Sequence, residues 1–307
     1  SLVSSRIITA KWIIEQVHKL VKSSIEAAEI AGQRFYLNVS SRFSGLQGGS
    51  RFGRNTGNSL EFLDHREYQP GDDVRHIDWN AMARSDRLTV KLFREEISPH
   101  LDILIDTSVS MAGTTFHKGA AAMSLAALLR VAALNSGYTV SCWLLKDRCH
   151  KVESATLPLS RWQGADFDYS GNVGETITSF PPRLRNNGVR ILLSDLFWSQ
   201  EPVSVLRQLS DGAALLTVVQ VLAREDVAPE FAGNVRLIDC ETAEAVELIA
   251  DESLIAEYLR NFTRHQEYWK KCCSKYGALF THCLGEQLLG DFVPVELLKT
   301  EIIMTRS

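Results

Sequence analysis

Apolar side chains over residues 6–30 fall at Ile7, Ile8, Ile13, Ile14, Val17, Leu20, Val21 and Ile25, and these mixed three- and four-residue steps predict an amphipathic helix. The pattern stops over residues 38–59, NVSSRFSGLQGGSRFGRNTGNS, which are rich in Gly, Ser and Arg and hold no carboxylate. Such a stretch predicts a mobile basic loop. The Walker spacing Gly-x4-Gly-Lys-Ser/Thr, which would cradle a phosphate, is missing from it. Residues 60–97 are dense in charge, with a turn at Pro70-Gly71 and a strand expected over Leu88 to Phe93.

From Leu101 onward short apolar runs alternate with helical patterns. Strands are expected over 101–105, 138–145, 189–194, 214–222, 234–240 and 278–283, and helices over 116–135, 201–210 and 251–276. In the last helix Leu254, Ile255, Tyr258, Leu259 and Phe262 share a face. Residues 150–188 read as irregular, and Pro181-Pro182 breaks any helix there. Strand–helix alternation predicts an α/β fold with a mainly parallel, doubly wound sheet. The expected organisation is an N-terminal helix (1–37), a Ser/Gly-rich arm and charged segment (38–97), an α/β domain (98–290) and a C-terminal tail (291–307).

Composition narrows the class. The 307 residues are 45% hydrophobic and 23% charged, an ordinary globular balance that excludes disorder, collagen and a coiled-coil rod. A net charge of −4 gives no general attraction to nucleic acid. The six cysteines, Cys142, Cys149, Cys240, Cys272, Cys273 and Cys283, form no Cys-x-x-Cys, so a zinc ribbon is unsupported. Reduced thiols in a cytoplasm suit them better than a disulfide framework. No apolar run reaches the roughly 18 residues of a membrane span, and the N-terminus shows no signal-peptide core. A cytoplasmic location without a membrane span is expected.

Two of the apolar strands end in aspartate, Asp106 and Asp195. In an open parallel sheet, ligands bind outside the carboxyl ends of the strands. Asp106, Ser108 and Ser110 alternate in DTSVSM, and in a roughly extended loop that period turns all three side chains to one side. One carboxylate and two hydroxyls are hard oxygen donors, suited to Mg²⁺ or Mn²⁺ and wrong for zinc or copper. Asp195 would hold the same ion through water. A single direct carboxylate leaves such a site positive, so a partner's carboxylate can complete it, which makes an adhesive rather than a catalyst. Helix capping is the competing reading for the same residues.

Asp106-x-Ser108-x-Ser110 followed by a helix resembles the metal-ion-dependent adhesion site (MIDAS) of von Willebrand factor A domains, and LSDLF around Asp195 resembles that fold's later metal-loop aspartate. Upstream, Glu61-Phe62, Arg66, Tyr68, Pro70-Gly71-Asp72-Asp73, Arg75, Ile77-Asp78-Trp79 and Ala83-Arg84 resemble the signature of the domain-of-unknown-function 58 (DUF58) family. The likeness covers residues 40–285. It implies a doubly wound, Rossmann-like A-type domain with an N-terminal helical and loop extension, and Mg²⁺ or Mn²⁺ at Asp106, Ser108, Ser110 and Asp195. It further implies a MoxR-type AAA+ ATPase as partner, in the assembly or maturation of a client protein gripped through a carboxylate. The adhesion site of that fold takes a threonine from a loop between the two aspartates, for which Thr176 and Thr178 in GNVGETITSF are available. The expected function is therefore a non-enzymatic interaction module. The alternatives are a metal-dependent phosphohydrolase, or a structural A domain that has lost its metal.

Other candidates have structural readings. Asp72, Asp73, Arg75, His76 and Asp78 do not match a calcium loop, because Gly71 precedes the acids. An Arg–Asp network tying this segment to the core is expected, with Arg66, Arg75 and Arg84 as structural pairs and Trp79 anchored by burial. His117 stands near Ser110, but no Gly-x-Ser-x-Gly elbow accompanies it, so no hydrolase is read. Cys272-Cys273 lies in a helix as buried or half-buried thiols. Arg183, Arg185 and Arg190 are expected in a solvated loop.

Overall fold

The computed structural model describes residues 22–38, 60–95, 99–112, 117–152, 162, 165–230, 233–239 and 244–306. Most of the basic loop expected at 38–59, and the first part of the N-terminal helix, lie outside these residues. The chain divides into two compact units, one from residues 1–45 with 99–307, the other from Leu46–Ser98.

In the larger unit a helix over 22–32 leads into strand β1 (Phe35–Leu37). The smaller unit holds the antiparallel pair β2 (Leu60–Glu67) and β3 (Thr89–Glu95). Between them stand a 3₁₀ turn and the helix Trp79–Ser85. Asp78 caps that helix, its Oδ1 accepting from the amides of Asn80 and Ala81 at 3.0 and 3.1 Å. Its Oδ2 meets His65 Nε2 at 2.7 Å and Lys91 Nζ at 3.5 Å. Arg66 pairs with Asp72 and Arg75 with Asp73, at 2.6 and 2.7 Å, so all four partners of the expected Arg–Asp network belong to this unit. Trp79 corrects the sequence reading: it is 63% exposed. The buried residues are its neighbours Ile77, which bridges Val90, and Asp78, whose carboxylate is held by the cap. Trp79, the first residue of the helix, is left to solvent.

The larger unit continues through β4 (His100–Asp106), β5 (Thr139–Leu145), β6 (Cys149–Lys151), β7 (Gly188–Ser194), β8 (Ala213–Leu222), β9 (Gly233–Ile238), β10 (Ala245–Ala250), β11 (Leu279–Leu284) and β12 (Ile303–Thr305). Six of these form one sheet in the order β11-β8-β7-β4-β5-β6, parallel throughout except for the antiparallel edge strand β6. Counted along the chain, that order is 3-2-1-4-5-6 read from the β6 edge. β1 pairs with β12, so the two ends of the described chain close on one another.

Alternation along the strands divides the core in two. Leu101, Ile103 and Ile105 of β4, Cys142 and Leu144 of β5, and Val189, Ile191 and Leu193 of β7 face one apolar cluster, shared with the helix His117–Asn135. Leu104, Trp143, Leu145 and Leu192 face the other, shared with the helices Val173–Ser179, Pro202–Ser210 and Glu252–Lys275. Helices therefore cover both faces of the sheet, which is why its strands are apolar at nearly every position. The helix His117–Asn135 is Ala-rich and apolar on most sides because it is buried on most sides. Gly32 lies against it, where an added Cβ would come within 2.9 Å of Leu128 O and of Val131 Cβ.

Three sequence expectations differ. Strand 234–240 does not join the sheet: β9 pairs with β10 in a separate antiparallel ribbon. Asn234 and Arg236 interrupt its apolar positions, a pattern for a half-exposed strand rather than one covered on both faces. Residues 150–188 contain a helical segment, Val173–Ser179, begun by Asn172, whose Oδ1 accepts from Glu175 N at 3.1 Å. Arg190 lies in β7 rather than a solvated loop and is 2% exposed; its guanidinium donates to the carbonyls of Leu209, Asp211 and Arg185. Among the described residues no helix is long and apolar enough to cross a membrane.

Candidate functional site

The strand order reverses between β4 and β7, so the chain leaves these neighbouring strands in opposite directions. A crevice at the carboxyl ends is built where that happens. β4 ends at Asp106, and Asp195 follows β7 directly.

Asp106 is 0% exposed and both its oxygens are engaged. Oδ1 accepts from the amide and the hydroxyl of Ser108, at 2.9 and 2.6 Å. Oδ2 accepts from Ser194 Oγ at 2.6 Å and from the indole of Trp198 at 2.9 Å. The hydroxyls of Ser108 and Ser110 stand 3.0 Å apart. Thr107, between Asp106 and Ser108, turns the other way and donates to Leu145 O at 2.7 Å. Asp106 and Ser108 alternate along extended backbone, since Asp106 ends β4 and Ser108 forms a β-bridge; Ser110 departs from it. Ser108 bridges Tyr169, and Ser110 already lies in the helical turn Val109–Ala112.

Asp195 is equally buried but faces a different partner. Its Oδ2 accepts from Lys118 Nζ at 2.9 Å, and its Oδ1 accepts from Phe197 N at 3.3 Å. Lys118 also meets Asp226 at 3.5 Å and lies 5.2 Å from the centroid of the Phe197 ring. Gln220 holds the Asp195 carbonyl at 3.0 Å and is itself bonded by Gln266 at 2.9 Å.

Burial pushes the Asp106 carboxyl above its ordinary pKa, and the charge of Asp195 adds to the rise against the pull of Ser108 and Ser194. Burial acts to lower Lys118, yet the charges of Asp195 and Asp226 hold it above its ordinary value. Burial also raises Asp226.

Thr176 is buried, and its hydroxyl donates to Lys146 O at 2.8 Å, with Tyr169 OH at 3.3 Å. Since Tyr169 flanks Ser108, Thr176 is one side chain removed from the serines. Thr178 bonds back to Gly174 and Glu175 of its own helix. His117 pairs with Glu286 at 2.9 Å. Among the described residues no group of three or more His, Cys, Asp or Glu stands where it could hold a metal ion, so the oxygen set at Asp106 consists largely of hydroxyls.

Sequence reasoning did not find Ser194, Trp198, Lys118 or Asp226. Only Lys118 left a signal. It is a charged residue at the head of an otherwise apolar, buried helix, and buried lysines need partners.

A family profile described as "Protein of unknown function DUF58" matches residues 64–268. The chain belongs to the DUF58 family. Uncharacterized protein Rv1480 of Mycobacterium tuberculosis is 25% identical over 244 residues, 75% of this chain and 76% of its own. Uncharacterized protein Mb1516 of Mycobacterium bovis matches to the same extent. Among solved structures, conserved hypothetical protein BatB from Bacteroides thetaiotaomicron covers 63% of this DUF58 chain and 97% of its own, at 12% identity and a TM-score of 0.33. An aerotolerance-related membrane protein from Bacteroides fragilis covers 66% and 99%, at 13% identity and the same TM-score of 0.33.

Proposed function

We propose that this DUF58 protein is a non-enzymatic, divalent-cation-dependent protein-interaction module of the von Willebrand factor A type. The observation that carries the reading is the state of Asp106. It is a wholly buried carboxylate with four hydrogen-bond donors and, among the described residues, no basic partner, beside a second buried carboxylate. A hard cation at the paired hydroxyls of Ser108 and Ser110 would relieve that repulsion, so the donor set fits Mg²⁺ or Mn²⁺. The sheet order, with both aspartates at its switch point, supports the A-type reading as well.

A bound divalent ion supplies a positive coordination position for an outside carboxylate. The protein's own residues prepare it. Ser108 donates its O–H to Asp106, so Ser110 is the donor in the pair of serines and each hydroxyl keeps a lone pair for the ion, while Trp198 and Ser194 hold the carboxylate that orients Ser108. Asp195 acts at one remove, through water. The client protein presents the carboxylate, and a MoxR-type AAA+ ATPase in the cytoplasm supplies the work of assembly or maturation.

Calorimetric titration of the chain with Mg²⁺ and Mn²⁺ tests the reading. Heat of binding is expected, with at least an about tenfold loss of affinity in Asp106→Ala, since a direct charge partner is removed. Absence of heat in the natural chain overturns it. Robust Mg²⁺-dependent turnover of simple phosphoesters, lost in Asp106→Ala, would establish an enzyme instead.

A further inference from the structure

Lys118 is placed against every local preference. It is 7% exposed, on a helix of Ala, Leu and Met, and at the end of that helix where backbone amides already carry positive charge. Burying an ammonium is costly unless it is paired. Such violations are retained where a site needs them.

We infer that Lys118 is a built-in counter-cation that sets how tightly the Asp106 edge takes a divalent ion, by holding the Asp195 carboxylate to itself. This rests on the metal reading above and adds the residue that tunes it. Asp195 Oδ2 is engaged by Lys118 at 2.9 Å, and Asp195 Oδ1 is turned back onto its own loop at Phe197 N. Gln220, steadied by Gln266, fixes the backbone that carries it. Asp226 holds the ammonium from the other side, at 3.5 Å, and the Phe197 ring lies over it. Without the lysine, Asp195 is released toward the ion and a like charge is removed from beside it.

The test follows Mn²⁺ through the electron paramagnetic resonance signal of the free ion, titrated against the full natural chain, Lys118→Met, Lys118→Arg and the double variant Lys118→Met/Asp226→Asn. Lys118→Met is expected to bind Mn²⁺ at least about tenfold more tightly, because a neighbouring positive charge is gone. Lys118→Arg, which keeps the charge, should stay within about threefold of the natural chain. The double variant loses one charge of each sign and spares the fold an unpaired Asp226. It should tighten in the same direction, and it carries the test if Lys118→Met does not fold. Equal or weaker binding in the lysine-free variants, with the natural chain still binding, overturns the role of Lys118 and leaves the metal reading standing. Tightening in Lys118→Arg also overturns it, since packing rather than charge would then be responsible. No binding by any of the four overturns both. Binding only without the lysine upholds its role and overturns metal-dependent function in the natural chain.

Discussion

Asp102 and Asp106 stand on the same strand, both buried and both on the face toward Trp143 and Trp198, yet their protons behave oppositely. Burial raises each. At Asp102 the pull of His100, of the Trp143 indole and of Arg185 N outweighs burial, and the carboxyl ends below its ordinary pKa. At Asp106 the neighbouring charge is Asp195, and the carboxyl ends above. A depressed folded-state pKa contributes stability that is present above the unfolded value and lost as pH falls through the folded one. Asp102→Asn should therefore cost about 1–3 kcal/mol at neutral pH, the range for a buried charged hydrogen-bonding group. In urea unfolding the deficit should shrink once pH falls below about 4. A deficit independent of pH would mean that only packing was lost. Asp106 has the opposite sign: without metal, the fold loses stability as pH rises from the ordinary carboxylate range through its raised pKa. The cluster of Asp106, Ser108 and Ser110 was legible in the sequence because three residues close along the chain form it. Ser194 and Trp198 were not, because they reach Asp106 across 88 and 92 residues and only the sheet order brings them there.

At the scale of elements, the short helix Val173–Ser179 shows how the site is braced. Its sequence, VGETITS, has Gly, β-branched residues and Ser, weak helix formers that gave no periodic signal. Tertiary packing makes it a helix: Val173 and Ile177 are wholly buried against the same cluster as Trp198 and Trp269. Gly174 is small because Trp198 lies on it; an added Cβ would stand 2.6 Å from Trp198 Cε3 and 2.6 Å from Gln200 Cβ. Propensity alone would make Gly174→Ala stabilising by about 1 kcal/mol. Packing predicts the reverse, a loss of about 1–3 kcal/mol from overfilling, since the indole must shift. That shift would also loosen its hydrogen bond to Asp106, so Mn²⁺ affinity should fall along with the thermal midpoint. A stabilised Gly174→Ala with unchanged Mn²⁺ binding would show that this helix does not brace the site. The helix His117–Asn135 was readable from its apolar length, the helix Glu252–Lys275 from one apolar face, and the core strands as short runs of apolar residues. The ribbon β9–β10 misled because a half-exposed strand and a sheet strand share the same short apolar run.

Across the whole molecule, the strands that carry the two aspartates are also the best protected. β4 and β7 are buried at every position and pair with one another at the centre of the sheet, so their amides should exchange with solvent only on global unfolding. The ribbon β9–β10 has no third strand among the described residues and exposes Leu237, Val246 and Ile249. Two strands alone are marginally stable, so its amides should exchange first. An ion held at the ends of β4 and β7 stabilises the folded state by mass action, about 2.7 kcal/mol at a hundredfold excess over its dissociation constant. Hydrogen exchange read by mass spectrometry with and without Mn²⁺ should then show about a hundredfold slowing in β4 and β7, where global unfolding limits exchange. Residues 106–112 and 195–198 should slow as well, because their local opening would expel the ion. The ribbon should be unchanged, since it opens without disturbing the strand ends. Slowing confined to the ribbon, or slowing that persists in Asp106→Ala, would place the ion elsewhere and detach Asp106 from any role in holding it.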